Sequence, residues 1–364
     1  MVIRSNGYGI IVEENFHLTV CACCYKQSPT GKKFKYHCPA CVEISYCSKE
    51  CSNQIYIHIP NGLECRALKL LTIQRKSKLN NIEDLTNMRM MISVLSRAAR
   101  ESEADNPFVN APSLEERNAE LFSGACNPLF RHIYHLEGNE SLQHTRPQIQ
   151  QKIWEQSGII NEIITEAAKE LSRKNFFPPK WWYEAVGEEC IVQLLYKMMC
   201  NCFGLWNRKQ RCIASIITSS NSYFNHSCLP NCCRFNANAS GELLSSISIR
   251  TLRSIKKGEE LTISYSGIKF PYPKRQEHLL YGYFFRCRCR RCTLEDSNNE
   301  NSPSTIECEL SEIVCTNTKC AGFMVVDDAS SVLKAVENSL ECKKFVSRLC
   351  NICGRQEILI SINK

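Results

Sequence analysis

Long apolar runs are missing from this sequence of 364 residues. No stretch approaches the ~20 residues that span a bilayer, and the opening "MVIRSNGYGI" lacks the apolar core of a secretory signal. Neither a repeat of fixed period nor a heptad run is present, which sets aside solenoids and coiled coils. An excess of one charge is also modest. The 45 Lys and Arg outnumber the 37 Asp and Glu by 8, which is compatible with acidic or nucleic-acid partners and demonstrates neither. Hydrophobic content of 43% and charged content of 23% are ordinary for a globular protein. Cysteine is what the chain has in abundance, with 25 residues. Without export the thiols stay reduced, so the expected compartment is nucleus, cytoplasm or both, and the expected use is zinc binding rather than disulfides.

Local patterns divide the chain into parts that share at least one large core. Residues 1–20 read as a short β-hairpin that turns at "NGYG", with "IIVEENF" as one strand. Residues 21–65 are too poor in apolar side chains to fold unaided. From 66 to 211 apolar residues fall three and four apart, as in "LTNMRMMISVLSRAAR" and "IQQKIWEQSGIINEIITEAAKEL", and predict helices punctuated by "NPFVNAPS" and "NFFPPKWW". Residues 212–267 turn to strands in "CIASIIT", "CCRFNA", "LLSSISIRTL" and "ELTISY". The segment 268–292 brings three more cysteines. Residues 293–307 are polar and acidic and read as a mobile linker, and 308–364 form a small cysteine-rich module.

Cysteine spacing carries the strongest signal. Cys21, Cys24, Cys38, Cys41, Cys47, Cys51, His58 and Cys65 are eight soft ligands in four adjacent pairs, the number two tetrahedral zinc ions require. A cross-braced arrangement would join Cys21, Cys24, Cys47 and Cys51 at one ion and Cys38, Cys41, His58 and Cys65 at the other. Zinc contributes ~10–16 kcal/mol per site in small peptides, enough to replace a missing apolar core. "FFRCRCRRC" supplies Cys287, Cys289 and Cys292, one ligand short of a closed site, and "NHSCLPNC" offers Cys228, Cys232 or Cys233 as the fourth. Cys315, Cys320, Cys350 and Cys353 make a further set, with the glycine of "CNICG" permitting a tight knuckle. About four zinc ions are expected.

The block "CACC…HCPAC…ISYCSKEC…H…C" resembles a MYND zinc finger. "NHSCLPNC", "GEELTISY" and "FFRCRCRRC" resemble the core, C-terminal end and post-SET cysteines of a SET-domain lysine methyltransferase. A finger inserted after the first SET hairpin is the arrangement of the SET and MYND domain (SMYD-like) family. The implied class is α+β: a SET-type β-fold of short sheets with an inserted MYND finger, a helical insert, and post-SET and C-terminal zinc modules. By this resemblance 1–20 is a shortened SET hairpin, 21–65 the finger, 66–211 the helical linker and insert, 212–267 the core SET domain and 268–292 the post-SET segment.

The resemblance also implies an activity, protein-lysine N-methyl transfer from S-adenosylmethionine, with a histone or non-histone protein as substrate. Gly7, Tyr8, Gly9, Asn139, Ser222, Asn225, His226, Tyr265 and Phe285 are then the expected cofactor contacts. Tyr265 is the tyrosine facing the transferring methyl, Tyr283 and Phe203 are candidate walls of the lysine channel, and Cys228 becomes the fourth ligand to the post-SET zinc. Asn225 read alone could equally cap a turn, since asparagine favours that role. A second reading is an inactive adaptor whose finger binds proline-containing peptides. Nucleic acid has weak support from the charge alone, no membrane partner is expected, and the expected state is a monomer.

Overall fold

A computed structural model of the protein describes residues 2–54, 58–78, 82–123, 128–139, 146–207, 209, 211–237, 243–296, 303–320, 322–326 and 344–361. Two small antiparallel sheets form the β-body. Strand Leu243–Thr251 is central in one, flanked by Val2–Asn6 and Cys232–Ala237. Strand Cys212–Ile217 is central in the other, flanked by Gly9–Val12 and Cys202–Trp206. A short parallel pair, Asn225–His226 beside Thr262–Ile263, joins the segments that the sequence motifs single out.

The expected N-terminal hairpin does not form. Both of its strands exist, yet Val2–Asn6 and Gly9–Val12 pair with different sheets, and Glu14–Phe16 is a 3-10 turn rather than strand. The reason lies in the two residues between them. The Tyr8 N–H donates to Ile217 O at 2.8 Å, while the Arg97 guanidinium takes Gly7 O at 3.1 Å and Tyr8 O at 2.8 Å. With those groups committed elsewhere, no turn closes between the strands.

The helical expectation for 66–211 holds over most of its length. Helices Leu63–Lys78, Ile82–Ala98, Pro147–Ser172 and Glu188–Asn201 bury their apolar stripes in one core that includes Met88, Met91, Leu95, Ile160, Ile164 and Leu195. "PPKWW" starts helix Lys180–Ala185, where Trp182 Nε1 donates to Leu95 O at 2.8 Å and Trp181 Nε1 to Ser102 O at 3.0 Å. The exception is Cys202–Trp206, a strand inside the span expected to be helical. No helix among the described residues is long and apolar enough to cross a membrane.

Buried Arg89 ties the finger to this helical layer, reaching Glu43 Oε2 at 2.8 Å and Glu14 Oε2 at 3.4 Å. At the other end of the chain, strands Met324–Val326, Lys344–Cys350 and Gln356–Ser361 form a third sheet. It docks on the β-body through a shared apolar cluster of Phe235, Ile268, Phe323 and Leu349, and through Asn351 Nδ2, which donates to Arg234 O at 2.8 Å. Of the expected mobile linker, 293–296 lies in helix Arg290–Asp296 and 303–307 in helix Pro303–Ile313; residues 297–302 lie outside the described residues.

Candidate active site and metal centres

Four groups of ligand atoms converge, each within 4.8 Å: Cys21, Cys24, Cys47 and Cys51; Cys38, Cys41, His58 and Cys65; Cys228, Cys287, Cys289 and Cys292; Cys315, Cys320, Cys350 and Cys353. Their spacing tests for a metal. A tetrahedron with zinc–sulfur bonds of ~2.3 Å has edges of about 3.8 Å. Sulfur pairs in the four groups lie 3.5 Å (Cys24–Cys47), 3.7 Å (Cys38–Cys65), 3.4 Å (Cys228–Cys292) and 3.7 Å (Cys320–Cys350) apart. Those separations are far too long for disulfides and suit a tetrahedral ion. In the second group His58 turns Nε2 toward Cys41 Sγ at 3.6 Å while Nδ1 meets Glu64 Oε2 at 2.8 Å. A carboxylate behind a ligand histidine fixes its ring and raises its basicity. Cys232 and Cys233 sit in the cores beside their strand and join no cluster, and burial pushes their thiols up to about 11 and about 12.

The parallel pair and the third cluster together build the site. His226 Nδ1 accepts from the Tyr265 backbone N–H at 2.9 Å, so in the neutral ring the proton sits on Nε2. That nitrogen lies 3.2 Å from Cys228 Sγ, where it donates to the sulfur. Cys228, His226 and Tyr265 therefore form one continuous path from the metal ligands to the tyrosine. The Tyr265 hydroxyl donates to Phe224 O at 2.6 Å. Burial raises the Tyr265 phenol well above its usual range and raises Tyr283 as well, so both stay protonated.

An aromatic wall surrounds this path. Ring centroids lie 4.8 Å apart for Tyr265–Tyr283, 5.3 Å for His226–Tyr265 and 6.0 Å for His226–Phe285. Tyr265 also packs on the cluster that contains buried Phe203, Ile216 and Phe224, so it sits at the seam of two cores. Tyr283 ends helix Tyr272–Tyr283, and Phe284 follows in the left-handed region at φ 62°. That residue turns the chain so that Phe285 and Cys287 run back across the site. A left-handed residue with a Cβ costs ~1–2 kcal/mol, offset here by complete burial of the Phe284 ring.

The other expected contacts are near but partly committed. Asn139, itself at φ 51°, donates from Nδ2 to Tyr283 O at 2.7 Å. Asn225 Nδ2 donates to Glu260 Oε1 at 2.7 Å, and the Ser222 hydroxyl to Thr218 O at 2.7 Å. Beside Ser222, the buried atoms Thr218 Oγ1 and Asn221 Oδ1 have no partner among the described residues. A Cβ on Gly7 would lie 2.6 Å from Ile10 Cγ1, and one on Gly9 would lie 2.9 Å from Val94 Cγ2. Packing therefore requires both glycines. Tyr8 is buried, with its hydroxyl donating to Glu101 Oε1 at 2.7 Å, and it faces the helices rather than the aromatic wall.

Comparison with known proteins agrees with this geometry. A SET domain family model matches residues 148–266. A SET and MYND domain-containing protein of Dictyostelium discoideum is 27% identical over 356 residues, spanning 96% of this chain and 89% of its own. Over most of its length the chain is similar to SET and MYND domain-containing proteins. Two further relatives carry activity names. A histone-lysine N-methyltransferase of Arabidopsis thaliana is 35% identical over 123 residues, 32% of this chain and 31% of its own. A histone-lysine N-methyltransferase of Homo sapiens is 24% identical over 301 residues, 82% and 57% of the two chains.

Several residues that shape the site were not singled out in the sequence, although Asn231 and Arg291 stand inside the quoted motifs. Asn231 staples the "NHSCLPN" turn to the next segment, donating to Glu260 O at 2.8 Å and accepting from Thr262 N at 2.8 Å. Gln276 clamps Cys287 in both directions, at 2.8 Å to its carbonyl and 3.0 Å from its amide. Arg275 places Nη2 3.8 Å from Cys292 Sγ, and buried Arg291 donates to Cys228 O at 3.2 Å and Ile268 O at 2.8 Å. Four thiolates around a divalent ion leave two negative charges, and these guanidiniums lie where they neutralise them. The basic run "RCRCRR" is thus only partly a solvated face. Asn201, which donates to Glu137 O at 2.7 Å, was within reach of sequence reading because it stands two residues before the candidate channel residue Phe203.

Proposed function

We propose that this protein is an S-adenosylmethionine-dependent protein-lysine N-methyltransferase with Tyr265 at the reacting centre. The observation that carries the reading is the Cys228–His226–Tyr265 path, which fixes the tyrosine to the segment that folds back over it. When bound, the donor supplies an electrophilic methyl on a sulfonium. Main chain at Gly7, Tyr8 and Gly9, with Asn139, Ser222 and Asn225, would hold its amino-acid and ribose portions, and Phe285 would cover the adenine. His226 has both ring nitrogens engaged within the protein, so its contact would be through the backbone. The unmatched Thr218 Oγ1 and Asn221 Oδ1 suit a polar group seated at that turn.

Methyl transfer is an in-line displacement, so the main task of the chain is alignment. The lysine amine must be neutral. With a pKa of ~10.4, about one in a thousand is deprotonated near pH 7.4, a deficit of ~4 kcal/mol. Walls made by Phe203, Tyr265 and Tyr283 disfavour the ammonium and reduce that deficit. The neutral Tyr265 oxygen orients the amine lone pair and stabilises charge on the moving carbon. Neither tyrosine is a base at neutral pH, so the proton leaves to solvent. Zinc at the four clusters would be structural, since each offers four ligands and leaves no open position. The substrate would be a histone or another protein met in nucleus or cytoplasm.

Replacing the tyrosine tests the reading. Tyr265→Phe should keep four zinc ions and calorimetric binding of S-adenosylmethionine while turnover falls about 100-fold or more. Undiminished turnover would remove Tyr265 from the reaction. A chain with full zinc and no saturable donor binding would instead be the adaptor, presenting the exposed finger residues Tyr36 and Val42 to peptides.

A further inference from the structure

Away from the aromatic wall, a cavity of about 400 Å3 lies between the finger, the Gly7–Val12 segment and the ends of three helices. Its apolar side includes Ile11, Ile44, Leu63 and Leu171. Its charged groups are Arg97, Arg100, Lys174, Glu64 and, when protonated, His58. Two of them already face each other, His58 Nδ1 and Glu64 Oε2 at 2.8 Å. Arg97 is occupied by the carbonyls of Gly7, Tyr8 and Pro128. Arg100 and Lys174 are exposed, and their side chains make no hydrogen bond or ion pair among the described residues. The decisive group is Ser96. It lines the cavity and is 4% exposed, and its hydroxyl has no partner.

A buried hydroxyl without a partner costs ~1–3 kcal/mol, so one kept in a cavity wall points to a visiting oxygen. Two cations without a hydrogen-bonded carboxylate at the same cavity, Lys174 and an Arg100 that also favours the charge on nearby Glu64, point to an anion, and the apolar lining to a hydrocarbon body. The size falls within the ~300–1,000 Å3 range of small-molecule sites. We propose that this cavity is a binding site for a small amphipathic carboxylate, with its chain on the Ile11–Ile44–Leu171 side and its head group between Ser96, Arg100 and Lys174. It lies apart from the aromatic wall, since Tyr265, Tyr283 and Phe285 do not line it, and it touches the expected donor contacts only at Gly7 and Tyr8. The proposal does not depend on the methyl-transfer reading.

Titration of the zinc-loaded full chain with decanoate, kept below its micelle concentration, tests the site by calorimetry. Saturable one-to-one binding is expected. Arg100→Ala with Lys174→Ala, both at exposed positions, should weaken it roughly fivefold or more. Ser96→Ala should weaken it about threefold or more and leave the melting temperature of the free protein unchanged or higher, because no internal bond is lost. Decanol, with the same chain and no charge, should bind at least about fivefold more weakly. No saturation with decanoate, equal affinity in the double variant, or decanol binding as tightly as decanoate would each overturn the proposal.

Discussion

The post-SET cluster and the C-terminal cluster use the same four thiols to different ends. Cys315, Cys320, Cys350 and Cys353 come from one small module whose own backbone serves them. Gly322 N donates to Cys320 Sγ at 3.4 Å and Ile352 N to Cys350 Sγ at 3.5 Å, while Gly354 at φ 72° closes the knuckle. No guanidinium bonds those sulfurs among the described residues. The other cluster joins Cys228 to a cysteine 64 residues away, recruits Arg275 and Arg291, and passes a hydrogen bond through His226 to Tyr265. Local amide donors serve the sulfurs where the metal closes a module, with Lys269 Nζ reaching only the Cys315 carbonyl at 3.1 Å. Where it closes a site between distant segments, buried cations and a histidine are added, and the metal is coupled to what the site does.

Breaking one cluster at a time gives the largest expected contrast. Cys228→Ser should release one zinc and lower S-adenosylmethionine affinity by about 100-fold or more, since a structural site is worth ~10–16 kcal/mol in peptides. Cys353→Ser should also release one zinc yet leave donor affinity within about twofold. Equal losses of affinity in the two variants, read by elemental analysis and calorimetry together, would erase the distinction.

The buried cations sharpen the comparison at a smaller scale. Arg275→Met keeps the length and removes the charge, leaving Glu295 to Arg291 alone. Urea unfolding should show a loss of about 3–5 kcal/mol, the range for breaking a buried charge pair, with zinc content unchanged. A loss below about 1 kcal/mol would mean that the post-SET cluster needs the guanidinium no more than its C-terminal counterpart does.

The smallest effect concerns pH. Burial lifts the Glu101 carboxyl to about 7, against hydrogen bonds from the Tyr8 hydroxyl and the Phe130 N–H. Because the folded value exceeds the unfolded ~4.3, the proton favours the folded chain. Stability is then full below the unfolded value and falls as pH rises toward 7, by up to about 3 kcal/mol. Glu101→Gln should flatten that slope in denaturant titrations at pH 5 and pH 7. An unchanged slope would assign the dependence elsewhere.

What the sequence revealed follows from which interactions are local. Ligand pairs that grip one ion sit two to seven residues apart here, so their spacing is written in the chain, and all four cysteine groups were legible. Tyr265 and Cys228 were legible because they stand inside recognisable motifs. Strand partners are not local. "NGYG" looks like a hairpin turn by composition, and only the distant groups Ile217 O and Arg97 show that its ends part company. Cys202–Trp206 hid because it has no β-branched residue and carries a glycine at its centre. Arg291 hid because a basic run reads as solvated until its neighbours are known.

That parting of the two leading strands bears on how the molecule is made. The segments that residues 2–12 pair with, 212–217 and 246–250, leave the ribosome some two hundred residues after them. During synthesis both edges wait unpaired while the finger and helices have what they need to settle. A stretch made well before its partners is thus among the last to find its place, and it locks two sheets at once when it arrives.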